Sequence, residues 1–268
     1  MRDSLAPQAV ARSVCVACGS SDRKITKEHF WPHWLIDRAS PRSVRWHTKR
    51  IDARSATVAL CEECNSSFGR ELESPVAKIF SDLESAVGLS DFEAELLVRW
   101  LWKFEGLSWL QSQSRHTYSP VFTLRDRVLN QLGSIRPHLC LAVSLLDHID
   151  PTYGDAPVGI DSRHHTGAIF VSGVFCRIAL MSLLADAAPL VPSQFSVYQF
   201  HAISHAEDRH RKLFFPKVGF IDDTEAVGVT RFVSIALANF HDEVRGNTAN
   251  QPLEPTAGRR NERLKDEL

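Results

Sequence analysis

Apolar residues recur with two different periods along this chain, and the change of period divides it. Residues 57–60, Thr-Val-Ala-Leu, form a short apolar run with strand character that leads into Cys61. The polar, turn-rich stretch before it, residues 40–54, reads as an extended or hairpin excursion. Helix signals begin near Asn65 and strengthen beyond Ser74-Pro75, where proline suits a first helical turn. Ser90-Asp91-Phe92-Glu93 has the form of a capping box and opens a helix over residues 93–109. Leu96, Leu97, Trp100, Leu101 and Phe104 share one face of it, which reads as core packing and not as a base-stacking platform. Another helix is expected over 124–132.

Beyond this point the period shortens. Residues 138–146, 167–175, 195–203 and 213–220 are short, apolar or alternating, and rich in β-branched and aromatic side chains, as strands are. Residues 178–184 fit either the second arm of a hairpin or a helix, and 230–240 fit a helix. Residues 1–12 look like a loose leader, and 247–268 are polar and punctuated by proline and glycine, as a disordered or weakly helical tail is. The expected class is α+β: an N-terminal module over 13–75, a helical and then mixed α+β accessory or specificity region over 76–246, and the tail.

Composition is that of an ordinary soluble globular chain, with 268 residues, 44% hydrophobic and 24% charged. No apolar run approaches the roughly 18–20 residues that span a bilayer. The first residues lack the apolar stretch of a signal peptide, so a reducing, cytoplasmic location is expected, and the terminal Lys-Asp-Glu-Leu is read as coincidence. In such a compartment the six cysteines favour metal binding over disulfides. The net charge of −1 excludes a globally basic nucleic-acid binder, yet nine basic residues stand against three acids between Arg23 and Arg54. Among them Arg38, Arg42, Arg45, Lys49, Arg50 and Arg54 are candidates to grip a polyanion.

That basic segment lies between two cysteine pairs, Cys15-Val16-Ala17-Cys18 and Cys61-Glu62-Glu63-Cys64, with 42 residues intervening. Four thiolates in two such pairs close a tetrahedral zinc site, which leaves no open position and is therefore structural. Within the span lies Glu28-His29-Phe30-Trp31-Pro32, and directly after the last cysteine comes Asn65. Glu28 and Asn65 offer the carboxylate and amide oxygens that suit a hard divalent cation, Mg2+ or Mn2+. His29 offers a general base near neutral pH. His33 reads as a surface or packing histidine, as do His164, His165, His201, His205 and His210, and Cys140 and Cys176 as buried core thiols.

The order Cys-x-x-Cys, acid-His, Cys-x-x-Cys-Asn resembles the HNH endonucleases of the ββα-metal fold, in the branch where two cysteine pairs hold a structural zinc. Endonuclease VII-like proteins are similar in placing Asn after the last zinc cysteine. Glu28-His29-Phe30-Trp31-Pro32, with Trp34-Leu35 and later Leu72-Glu73, resembles a bacterial subset of that superfamily. The likeness covers about residues 13–75. It implies a metal-dependent nuclease in which His29 activates water, Glu28 and Asn65 hold the divalent ion, and Cys15, Cys18, Cys61 and Cys64 hold zinc. Nucleic acid, DNA foremost, is the implied substrate, with phage defence or a mobile element as the setting. The C-terminal region would then serve specificity, sensing or oligomerisation, through a second copy or a partner protein. The chain departs from the family in having no Asn between His29 and Asn65, where one usually orients the histidine. The position falls near Ala56, and Asp52, Ser55 or a backbone carbonyl would take over. The rival expectation is a zinc-bound nucleic-acid or protein-binding module without catalysis. A redox role for the Cys-x-x-Cys pairs would require them to be metal-free.

Overall fold

A computed structural model describes residues 14–40, 43–46, 49–112, 123–149, 158–162, 170–202 and 209–249. The expected leader lies outside the described residues, and so does 250–268 of the expected tail.

The first unit is a hairpin and a helix. Strand β1 (Ile25–His29) pairs antiparallel with a later strand (Thr57–Cys61), Glu28 opposite Val58 and His29 opposite Thr57. Between them come helix α1 (His33–Ala39) and the small antiparallel ribbon of β2 (Val44–Trp46) and β3 (Lys49–Ile51), which is the anticipated excursion. The partner of β1 is therefore β4, and it runs without a loop into α2 (Glu62–Phe68). A π turn, Gly69–Glu73, then carries the helical rod into α3 (Ser74–Glu84), with Pro75 in its first turn.

Helix α4 (Asp91–Ser112) begins at the capping box read from the sequence. The Glu93 carboxylate accepts from the Ser90 N–H at 2.8 Å, and Ser90 Oγ accepts from the Glu93 N–H at 3.3 Å. Helix α5 (Leu124–Leu129) crosses α4 at Gly106, where an added Cβ would lie 2.3 Å from a Leu124 methyl.

The second half is a six-stranded sheet. Strands β5 (Leu139–Leu146), β6 (Val158–Ser162), β7 (Val171–Phe175), β8 (Ile178–Leu184), β9 (Ser196–Gln199) and β10 (Val218–Phe220) form it in the order β10-β5-β8-β7-β6. The free edge of β5 is shared: β9 covers Cys140–Val143 antiparallel, and β10 covers its end in parallel. Residues 178–184 are thus a strand and not a helix, because a two-residue turn at Cys176-Arg177 folds them back on β7. Strand β6 was not anticipated. Helix α6 (Asp223–Ala249) is longer than the expected 230–240 and takes in 247–249 of the expected tail. Asp222 Oδ1 starts it early by accepting from the Glu225 N–H at 2.9 Å, a local cap that apolar periodicity does not register. No described helix is long and apolar enough to cross a membrane.

The larger of two cores, from Cys15 to Phe200, gathers around α4, and the second lies between the sheet and α6. Leu97, Trp100, Leu101, Phe104 and Leu107 are fully buried, but so are Glu95, Arg99 and Lys103, at 5% exposure or less. Charges so placed must be paired. Arg99 donates to the carbonyls of Val128 and Leu129 at 2.7 and 3.0 Å. Arg136 donates to Glu95, Asp91 and the His201 carbonyl, and its guanidinium stacks 5.0 Å over Phe200. Tyr198 adds a 2.6 Å hydrogen bond to Asp91. Arg136→Met removes the cation that Asp91 and Glu95 share, leaving Glu95 only the longer Arg99 ion pair, which costs about 3–5 kcal/mol. A urea titration should show the midpoint falling with the slope unchanged, and an unchanged midpoint would remove this pairing from the account of stability.

Candidate metal centre

The Cys15–Cys18 turn precedes β1, and hydrogen bonds fasten it in place. The Val16 N–H donates to Ala59 of β4 at 2.9 Å, and the Gly19 N–H donates to the Cys15 carbonyl at 2.8 Å. Gly19 has φ +74°, a left-handed conformation that closes the turn behind the second sulfur. Cys61 ends β4 and caps α2, its Sγ accepting from the Cys64 N–H at 3.5 Å. The four sulfurs lie within 4.8 Å of one another, and Cys18 and Cys61 are 3.8 Å apart. A tetrahedral zinc with bonds of about 2.3 Å sets sulfur–sulfur edges of about 3.8 Å. The quartet could therefore hold zinc. Among the described residues it is the one group of three or more Cys, His, Asp or Glu side chains gathered so closely.

The electrostatics fit a cation. A hydrogen bond from Cys64 holds the Cys15 thiol down to about 4, against the opposing effect of burial. The Cys64 thiol moves up, through that same hydrogen bond, burial and the Cys15 charge. Burial likewise raises Cys18. The Cys15 thiolate is thus favoured, and its charge opposes ionisation of Cys18 and Cys64.

The same corner brings Glu28 and Asn65 together, although they are 37 positions apart. Asn65, in the first turn of α2 beyond Cys64, donates from Nδ2 to Thr26 Oγ1 at 3.4 Å and comes near enough to the Glu28 carboxyl to favour its charged form. Burial raises the Glu28 carboxyl above the usual range, while the Lys103 ammonium, His29 and Asn65 pull it back. His29 ends β1, half-buried, and its ring meets that of His33 edge-on at 4.2 Å between centroids. Asp52, a candidate to orient His29, instead accepts from the Arg54 N–H at 2.8 Å.

The basic segment is partly tied up. Arg38 pairs with Glu84 at 2.6 Å and bonds Ser81 at 3.2 Å, and Arg54 pairs with Asp37 at 2.6 Å. Arg50 donates to Ser43 at 3.2 Å, and Lys49 is exposed. Arg45 lies opposite Arg50 in the ribbon, and Arg42 lies outside the described residues.

Sequence reasoning gave no role to Glu73 and Lys103. Glu73 closes the π turn, 8% exposed, and its carboxylate accepts from Trp34 Nε1 at 3.2 Å, Trp100 Nε1 at 3.0 Å and the Lys103 ammonium. The available signal was a lysine inside the apolar run Trp100-Leu101-Trp102-Lys103-Phe104, since lysine is rarely buried without a partner.

Compared with protein-family models, curated proteins and solved structures, the chain finds no match.

Purified protein is expected to carry one zinc per chain by elemental analysis. Cys61→Ala should abolish it and, with a metal contribution on the order of 10 kcal/mol removed, unfold the hairpin–helix unit by circular dichroism. Acid should release the zinc, because protons compete for all four thiolates. Metal-free protein with a native spectrum would show that the quartet is held by packing alone.

Proposed function

We propose that this chain is a metal-dependent endonuclease of the HNH type, hydrolysing phosphodiester bonds of nucleic acid, DNA first. The observation that supports the reading is the meeting of Glu28 and Asn65 on a β-hairpin and helix that the four cysteines fasten. A hairpin followed directly by a helix is the element order the ββα-metal resemblance implies.

The donor set fits a hard divalent ion. Glu28 supplies a carboxylate, and with the Asn65 amide nitrogen on Thr26 Oγ1 the amide oxygen is the atom it would present to a cation. A bound Mg2+ or Mn2+ would neutralise charge on the scissile phosphate and on the leaving oxygen. His29, next to Glu28 at the end of the strand, would take the proton of the attacking water. Lys49 and Arg50 on the β2–β3 ribbon would position the backbone, contacts that do not read sequence.

A second reading keeps zinc and nucleic-acid or protein binding but no catalysis. It is favoured by the surroundings of His29. Ala56, near the position of the family's orienting Asn, is fully buried with its carbonyl accepting from the Phe30 N–H at 2.8 Å, and the ring neighbour of His29 is His33.

Supercoiled plasmid and single-stranded RNA incubated with Mg2+ or Mn2+ separate the readings. The nuclease should cleave at least one, and His29→Ala should slow cleavage about 10²–10⁴-fold with zinc content unchanged. Cleavage indifferent to His29→Ala would overturn the mechanism. No cleavage of either substrate with either metal would favour the binding module.

A further inference from the structure

One face of α6 lies on the sheet. Ala226, Thr230, Val233, Ser234 and Leu237 are buried, and Ser234 Oγ stands 3.3 Å from Ser172 Oγ of β7. The opposite face is not that of a solvated helix. Phe232 is 70% exposed and Ile235 is 43% exposed, with Ile221, one residue before the Asp222 cap, at 65%. Apolar side chains gathered in this way on a surface mark a contact site more often than isolated ones do. Among them Gly228 faces solvent. Glycine inside a helix is less favourable than alanine, yet a Cβ at this position would meet no atom within 4 Å. Among the described residues, packing therefore gives no reason for a glycine there.

Counted from Gly228, the exposed residues fall in pairs. Glu225 and Arg231 stand three places to either side, Thr224 and Phe232 four, and Ile221 and Ile235 seven. Offsets of three, four and seven share one helix face. Two such helices crossing antiparallel at Gly228, about a two-fold axis, set each residue level with the one at the opposite offset in the copy. Glu225 then meets Arg231 on both sides of the crossing, Phe232 covers Thr224, and Ile221 meets Ile235. Glycine at the crossing lets the two backbones approach closely. A parallel pair would instead set Glu225 against Glu225 and Arg231 against Arg231, so charge selects the antiparallel one. Glu225 is already oriented for this, since one of its oxygens accepts from the Ile221 N–H at 2.9 Å. Its other oxygen keeps its lone pairs for a guanidinium.

We propose that the outer face of α6 joins two copies of this chain, antiparallel about a two-fold axis at Gly228, with a Glu225–Arg231 ion pair on each side of the crossing. The occupant is a second copy and not an unrelated protein, because the pattern of charge, bulk and space is complementary to itself. The association does not depend on the nuclease reading of the metal centre.

Sedimentation equilibrium of the full chain across the micromolar range tests this, with circular dichroism reporting the fold. Wild type should sediment at twice the 30.1 kDa chain mass. Gly228→Leu should stay folded, since its side chain has room in the single chain, and should sediment at the chain mass. Glu225→Arg and Arg231→Glu should each raise the dimer dissociation constant at least about tenfold, because each sets like charges together on both sides of the crossing. Mixed in equal amounts, these two variants should associate as wild type does, because every facing pair then regains opposite signs. A lost hydrogen bond from the Ile221 N–H cannot be repaired by a second chain, so recovery on mixing separates the contact from a structural role of Glu225. Wild type that stays at the chain mass, a folded Gly228→Leu that still pairs, or single variants that do not recover on mixing would overturn the proposal. Should Gly228→Leu fail to fold, the mixing experiment decides the matter.

Discussion

Asp91, Glu95, Arg99 and Lys103 recur at every fourth residue of α4, a helix that the fold encloses on nearly all sides. Charges in such a setting must be matched; Glu95 and Arg99 lie 3.9 Å apart on the helix itself, and much of the architecture is the set of partners that complete the matching. Arg136 answers the two acids, the carbonyls at the end of α5 answer Arg99, and Glu73 answers Lys103. The aromatic side of α4 fixes the remaining contacts, with Trp100 against Trp34, Phe80 and Phe175. The sheet, the rod from α2 to α3 and helix α1 are thereby held to one axis.

The hairpin–helix unit depends on that axis as well as on its cysteines. Four sulfurs bring the Cys15 turn, the end of β4 and the start of α2 to one point. The path of the rod after Asn65 is set by the π turn, whose last residue, Glu73, is held by Trp100 and Lys103 of α4 and by Trp34 of α1. The small unit with its cysteines and the long helix behind it share one core.

Local patterns with local causes were legible. The Ser90–Glu93 cap, Pro75 in the first turn of α3, the strand before Cys61 and the alternating strands of the second half each follow from side chains within a few residues of one another. The meeting of the cysteines followed from spacing and thiol chemistry. What escaped had non-local causes. Strand β6 is placed by its pairing with β7, and β8 is a strand because a tight turn lays it along β7 and β5. The basic segment read as net positive, but Asp37 within it takes up Arg54, and Glu84 of α3, folded against it, takes up Arg38.

The sequence by itself determined the α+β class and the four-cysteine cluster, because spacing and residue chemistry fix what a short turn or a helix start can present. Only the tertiary structure decided that Glu73 and Lys103 form a buried pair. On a helix, Lys103 at four-residue spacing from Arg99 and Glu95 has the pattern of a solvated face. Whether such a face meets water or a carboxylate depends on what packs over it, and the residues that pack there come from distant parts of the chain.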